Sequence, residues 1–263
     1  MSNFKKLSVI IVNYQSEAYL PSCLASFLRF QHGIDFEMIV VNNDPEKKLD
    51  EIQKKFPEIT LINASKNKGF GAACNAGVEN AQGDLLFFLN PDTEILCSLD
   101  PIIKVFENDP EIGALGPKLL GADGKVQEWS TGVEISLLDL IRNNLGLPRS
   151  KKIWESQVAR ETAWISGAAL LVPRNFFSLI GGFDEKFFMY FEDNDLCRRI
   201  GKSGKKLLYF PAVAILHLGG KSSQNSQKQK TYFFASQDYY FQKHFGGFQV
   251  FWLKLLRRIF LRK

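Results

Sequence analysis

The stretch from Gly181 to Ile200 reads Gly-Gly-Phe-Asp-Glu-Lys-Phe-Phe-Met-Tyr-Phe-Glu-Asp-Asn-Asp-Leu-Cys-Arg-Arg-Ile, and its acids differ in what they can do. Leu196, Cys197 and Ile200 mark the apolar face of a short helix. Asp195 precedes Arg198 and Arg199 by three and four residues, the spacing of a surface ion pair. Asp193 precedes Leu196, Cys197 and Ile200 by three, four and seven, so it shares their face. A carboxylate on an apolar face needs a partner or has a raised pKa, the property a general base uses. A helix N-terminal cap is the other reading of Asp193, because its charge suits the dipole there. Spacing alone leaves both open.

A second set of polar residues falls at the ends of apolar runs. Asn13 follows the first run, Asn42-Asn43-Asp44 the second, Asn63 and Ser65 the third, and Asn90-Pro91-Asp92 the fourth. Each is a good turn sequence by itself. Together they describe a polar crevice holding two carboxylates, Asp44 and Asp92. A strand-end acid suits a hard divalent cation that shares its oxygen ligands with a phosphate. His217, directly after an apolar run, is either an ordinary strand-end histidine or the nitrogen ligand of such a site. The loop Asn67-Lys-Gly-Phe-Gly would let backbone approach a phosphate or sugar. It matches neither the dinucleotide fingerprint nor the P-loop.

The elements that must position these residues are legible as periodicities. Leu7 to Val12 is a β-branched run of the kind covered on both faces. Leu20, Cys23, Leu24, Phe27 and Leu28 follow helical spacing. Strands are predicted at Phe36–Val41, Ile59–Ile62 and Leu85–Leu89, with helices over Leu49–Phe56 and from the glycine loop to about Ala81. Strand alternating with helix four times predicts a Rossmann-like, mostly parallel α/β sheet with helices on both faces. Further strands are predicted at Ala114–Leu120 and at Leu207–Leu216, the latter interrupted by Pro211. Trp164 to Val172 is apolar and rich in small residues. Ser130 to Ala159 is weakly patterned and reads as a mobile loop or an excursion over the site. Ser222 to Lys230 reads as a polar linker.

The chain has 263 residues, 45% of them hydrophobic and 23% charged, enough for one large α/β domain with an extension. Its longest apolar runs are strand-sized, well short of the roughly 20 residues of a transmembrane helix. The apolar segment after Phe4-Lys-Lys is too short for a signal peptide. Four cysteines without paired spacing point to reduced, buried thiols and a cytoplasmic protein. The net charge of +5 is uneven: from Lys221 onward nine basic residues stand against one acid, Asp238.

In this order the motifs resemble glycosyltransferase family 2 enzymes with a GT-A fold, closest to the bacterial rhamnosyltransferase branch. The resemblance runs from Val9 to about His217. Val9-Ile-Ile-Val-Asn-Tyr14 looks like the first-strand motif. Asn67-Lys-Gly-Phe-Gly with Asn75 and Gly77 resembles the family's N-x-G-F…N-x-G segment. Leu89-Asn-Pro-Asp-Thr93 resembles its metal-binding motif. Ser166-Gly-Ala168, Gly181-Gly-Phe-Asp-Glu185 and Phe191-Glu-Asp-Asn-Asp195 match its acceptor-side signature, and His217 its late histidine.

The resemblance implies transfer of a sugar, rhamnose by the nearest branch, from a dTDP- or UDP-sugar with inversion. The acceptor it implies is a saccharide or lipid-linked saccharide of cell-surface polysaccharide synthesis. It gives Asp193 the role of base, and Glu192, Asp184, Trp164 and Gly167 the acceptor side. Asn13, Asn42, Asp44, Asn67, Gly69, Asn75 and Asn90 fall on the donor side, and Asp92 and His217 would hold Mg²⁺ or Mn²⁺. One departure is Asn42-Asn43, where family members usually carry Asp-Asn. An asparagine can still pair with a uracil or thymine edge.

The predicted division is a GT-A domain over residues 1–225 and a basic, aromatic helical extension over 226–263. The tail's Lys254, Arg257 and Arg258 lie at i, i+3, i+4. Such a helix suits an anionic membrane surface at the inner face of the plasma membrane, or packs on the domain with a solvated charged face. A nucleotidyltransferase would open with a glycine- and Arg/Lys-rich loop after the first strand, which Asn13-Tyr-Gln-Ser-Glu-Ala lacks. A non-catalytic sugar-nucleotide-binding protein would lose the acids that this chain retains. Beyond the basic tail, nothing supports a nucleic-acid partner.

Overall fold

The computed structural model describes residues 4, 6–30, 33–219 and 226–260. The first half alternates strand and helix as predicted: β1 (Leu7–Asn13), α1 (Leu20–Phe30), β2 (Phe36–Asn42), α2 (Asp50–Lys55), β3 (Ile59–Asn63), α3 (Phe70–Glu79) and β4 (Leu85–Leu89). Then follow β5 (Thr93–Ile95), α4 (Asp100–Asn108), β6 (Ile112–Leu120), β7 (Thr131–Gly132), α5 (Leu137–Asn144), α6 (Lys151–Trp154), β8 (Arg160–Glu161) and β9 (Trp164–Ile165). The chain continues through β10 (Ala169–Pro173), α7 (Arg174–Leu179), α8 (Glu192–Lys202), β11 (Lys206–His217), α9 (Ser226–Phe245) and α10 (Gly247–Phe260).

The main sheet runs β3-β2-β1-β4-β10-β6-β11-β5, with β8 also paired to β11. β3, β2, β1 and β4 are parallel, and β11 is parallel to β6. β10 enters between β4 and β6 in the opposite sense. The interruption predicted at Pro211 is a register shift between Phe210 and Ala214, which leaves β11 one strand.

Strand alternation divides the core. Leu7, Val9 and Ile11 of β1 pack with Leu24 and Phe27 of α1 on one face of the sheet. Ile10 and Val12 pack with Cys74 of α3 and with Leu196, Cys197 and Ile200 of α8 on the other. A third apolar cluster joins Phe187 and Phe191 to Tyr240 and Phe241 of α9 and Leu253 of α10. Burying each such phenylalanine stabilises the fold by roughly 1.5–3 kcal/mol. The two C-terminal helices are therefore seated on the sheet domain.

Of the two readings of residues 130–159, the excursion over the site is the one seen: the segment forms β7, α5 and α6, with Ser136 capping α5 through the Asp139 amide, and Val133, Ile135 and Asp139 line the site cleft. Residues 226–230, read as linker, form the first turn of α9, while 222–225 lie outside the described residues. Gln227, Lys228 and Lys230 stay exposed there, on a helix that tertiary contacts hold further along. Among the described residues, no helix is long and apolar enough to cross a membrane. Cys23, Cys74 and Cys197 are buried free thiols, and Cys97 is half-buried.

Candidate active site

The carboxyl ends of β1, β2 and β4 open into a cleft of about 1040 Å³. Its floor includes Asn43, Asn67, Gly69, Asn90 and Asp92; Trp164, Gly167, Glu192 and Asp193 form one wall. This is the crevice expected beyond the strand ends of such a sheet. Gln15, Trp129, Tyr190 and Phe191, the described non-glycine residues with positive φ, all line it. Backbone held in the left-handed region costs of order 1–3 kcal/mol per residue and concentrates at functional sites.

Helix α8 starts directly from two of them. Phe191 is its N-cap residue, with φ 65° and no side-chain cap. Asp193 is therefore not the cap, although as a first-turn residue its Oδ1 accepts the Asn194 amide at 2.8 Å. Asn194 Nδ2 donates to the same oxygen at 2.7 Å, and the Gly167 amide donates to Oδ2 at 2.9 Å. Burial raises the Asp193 pKa above the ordinary aspartate value, against the lowering effect of those donors. Glu192 is pushed up further, by burial first and then by the Asp193 charge, and its Oε2 is buried without a hydrogen-bond partner.

Asp195 corrects the surface reading. It is fully buried, and its partners are Arg199 at 2.8 Å, His244 at 2.7 Å and Lys243 at 2.7 Å. Burial alone would raise its pKa, but these donors and the Arg199 charge outweigh it and hold it at about 2. Arg198 pairs instead with Glu134. Asp195 thus ties α8 to the end of α9.

In the same cleft, Asp92 Oδ1 lies 3.4 Å from His217 Nε2, and both side chains are buried. β11 pairs His217 with Thr93, so the register itself brings the histidine to the end of β4. His217 Nδ1 lies 2.7 Å from Gln127 Oε1, and Asn90 Nδ2 lies 3.4 Å from Nε2. With the amide oxygen accepting from Nδ1, Nε2 keeps its lone pair toward Asp92. Two lone-pair donors facing each other across that gap fit a divalent cation whose remaining ligands come from a diphosphate. Among the described residues, no group of three or more His, Cys, Asp or Glu could hold a metal without such help.

Several expected donor-side residues lie behind the cleft. Asn13 donates to Asn42 Oδ1, and Asn42 donates to Asn63 Oδ1 and the Lys47 carbonyl, a ladder across the ends of β1, β2 and β3 that is buried at Asn13 and Asn42. Asp44 turns back on the Glu46 amide, and Asn75 pins both backbone groups of Phe183. Asn43 is the strand-end residue that reaches the wall, donating to Asn67 Oδ1 and to the Gly69 carbonyl. On the acceptor side Asp184 is outside the cleft, held by Tyr239 and Lys243 of α9. Sequence reasoning placed Asn43 among the crevice residues without giving it a role, and missed Trp129 and the α9 residues Tyr232, Phe233 and Gln237. The aromatic run in α9 was the one available signal, and it could not show which surface the run covers.

Comparison with known proteins accords with this geometry. The chain is 28% identical over 231 residues to the N-acetylglucosaminyl-diphospho-decaprenol L-rhamnosyltransferase of Mycobacterium tuberculosis, covering 80% of this chain and 75% of that one. It is also 28% identical over 222 residues to the rhamnosyltransferase WbbL of Escherichia coli, covering 80% and 82%. In fold it is similar to the mannosyltransferase PcManGT of Pyrobaculum calidifontis, solved with GDP-Man and Mn²⁺ (TM-score 0.62, 16% identity, 91% of this chain and 64% of that one). GalNAc-T7, solved with UDP, GalNAc and Mn²⁺, gives TM-score 0.61 at 17% identity over 82% of this chain and 44% of that one. The model of glycosyl transferase family 2 matches residues 8–156, more than half of the sequence, and the chain belongs to that family, with the GT-A fold.

Proposed function

We propose that the protein is an inverting, divalent-metal-dependent glycosyltransferase that moves rhamnose from a dTDP- or UDP-sugar to a saccharide or lipid-linked saccharide acceptor. The observation that carries this reading is the pair of unlike sites facing one cleft: Asp193, with its raised pKa, and the Asp92–His217 pair. The names of the two rhamnosyltransferase relatives support rhamnose as the sugar, and the decaprenol-linked substrate in one of them supports a lipid-linked acceptor; the setting proposed with them is cell-surface polysaccharide synthesis.

In the reaction Asp193 takes the proton of the acceptor hydroxyl while that oxygen attacks the anomeric carbon from the face opposite the nucleotide. The new C–O bond forms as the bond to the diphosphate breaks, and its electron pair leaves with the diphosphate. General-base help of this kind is worth roughly 10² to 10⁴ in rate. Asp92 and His217 would hold Mg²⁺ or Mn²⁺, which supplies charge neutralisation to the departing diphosphate. Gly167 and Asn194 keep the Asp193 carboxylate aimed, and Glu192, deeper in the wall, meets the acceptor. Asn43, Asn67 and Gly69, bonded to one another, shape the part of the cleft that takes the nucleotide. Peripheral association with the inner face of the plasma membrane belongs to the same reading.

The test is a donor screen with dTDP-, UDP- and GDP-sugars, measuring hydrolysis and binding with Mg²⁺, Mn²⁺ or chelator. Selective, cation-dependent use of a dTDP- or UDP-sugar supports the reading. A flat response to every donor sinks it.

A further inference from the structure

Helix α10 has two unlike faces. Leu253 is buried in the third apolar cluster with Val250 packed beside it, and Arg257 is bonded to Gln237 and Asp238 of α9. The face turned away carries Phe248, Phe251, Trp252, Leu255 and Ile259, all exposed, with Phe248 at 73%. Their spacing of i, i+3, i+4, i+7 and i+11 makes one stripe along the helix. Exposed Lys254 and Arg258 flank it, and residues 245–263 contain no acid.

A second apolar group stands beside it. α10 packs on α5, which buries Leu137 and Leu140 against it and leaves Leu138 exposed. Leu145 and Leu147, just past α5, are exposed as well, Leu147 at 67%. Around them lie Arg142, Arg149, Lys151 and Lys152, with the nearby acids Asp139 and Glu155 paired to Arg149 and Lys151. The same helix α5 lines the cleft through Asp139, Leu140 and Asn143.

We infer that α10, with α5 and the residues just after it, forms a docking face for an anionic lipid bilayer that sets the cleft beside the membrane surface. Charge selects this occupant. An apolar stripe of aromatic and aliphatic residues, whose neighbouring acids Asp238, Asp139 and Glu155 are each paired to a base and whose surroundings are net basic, has the composition of an interfacial helix. Anionic headgroups attract such basic residues near the surface, and salt screens that attraction. Exposed apolar residues grouped in this way are also uncommon on a monomer without a binding role. α9 and α5 wall the cleft and α10 packs on both, so docking would hold a lipid-linked acceptor's sugar near Asp193 while its tail stays in the bilayer. That last step rests on the proposed function; the docking itself does not.

The experiment is flotation of the full chain with vesicles of phosphatidylcholine alone and of phosphatidylcholine with phosphatidylglycerol. Binding to the anionic vesicles is expected, weakened by salt. Phe251→Glu with Trp252→Glu should weaken it by more than about tenfold, because both aromatic rings leave the interface. Leu145→Glu with Leu147→Glu, on the other element, should weaken it too. Thermal unfolding and donor hydrolysis in solution should be unchanged in both variants. A chain that floats with neither vesicle, or variants that float like the parent, overturns the inference. So does self-association in sedimentation velocity that the same substitutions abolish without vesicle binding, since the face would then meet a second copy. Donor hydrolysis is read separately, so loss of the enzymatic reading and loss of the docking face give different results.

Discussion

The Gly167 amide donates to Asp193 Oδ2 at 2.9 Å, linking the turn before β10 to the first turn of α8. The two residues belong to separate motifs in the sequence, and the bond makes them one unit. A carboxylate held this way has both oxygens engaged, Oδ2 by Gly167 and Oδ1 by Asn194, with burial acting on its charge.

Asp193→Asn should lower transfer by roughly 10² to 10⁴ while leaving nucleotide binding intact, as measured by turnover and by calorimetric titration of the nucleotide. In the parent, kcat/KM should fall on the acid side at a pH above the ordinary aspartate value, because the base works only when deprotonated and its pKa is raised. The same raised pKa means the group stabilises the fold at low pH and loses that contribution as pH rises through it. The asparagine variant should accordingly be at least as stable as the parent at neutral pH. A variant with parental turnover would remove Asp193 from the chemistry.

Gln127 acts on the metal pair through His217, whose Nδ1 lies 2.7 Å from its amide oxygen. Replacing such a partner typically costs 10–100-fold in metal affinity, so Gln127→Ala should weaken Mn²⁺ binding by about that factor. Asp92→Asn and His217→Ala should weaken it more. Mn²⁺ titration followed by electron paramagnetic resonance reads this without turnover. Unchanged affinity in all three would dissociate the pair from metal binding.

Asp195→Asn should cost about 3–5 kcal/mol of stability at neutral pH, because it leaves Arg199, Lys243 and His244 facing a neutral group. Urea unfolding measures it. In the parent the sign runs with pH as for any depressed carboxyl. The contribution is full above the unfolded value of about 3.9 and is lost as pH falls toward the folded value. That folded value is about 2. A loss below about 1 kcal/mol would mean the cluster is solvated and contributes like a surface pair.

Gly69→Ala should destabilise the protein by more than about 1 kcal/mol and weaken nucleotide binding, read by thermal unfolding with and without nucleotide. Gly69 has φ +94°, and a Cβ there would lie 2.1 Å from the Phe188 carbonyl oxygen, which accepts the Phe70 amide at 3.0 Å. Wild-type stability would show that this contact can relax without cost.

The first four strands, β6 and β11, the first three helices and the polar character of the strand ends could be read from periodicity and turn residues, because both are local. β-branched runs such as Leu7–Asn13 need both faces covered whatever covers them. The order of motifs likewise carried the family. Which strand-end residue faces the cleft was not legible. Asn42 and Asn43 are adjacent and chemically identical, yet one is spent in the strand-end ladder and the other on the wall. A strand's two faces differ by one residue, and only the packed sheet decides which is which. Asp195 looked like a surface pair because its spacing to Arg199 is local, whereas His244 and Lys243 arrive from a helix some 50 residues on. The tail's basic character was plain in the sequence. Its division into a face that packs through Leu253 and a face that leaves Phe251 and Trp252 in solvent was decided by where α9 and α5 stand. Local sequence sets what each segment wants to bury, and the tertiary fold alone sets what remains to be buried against.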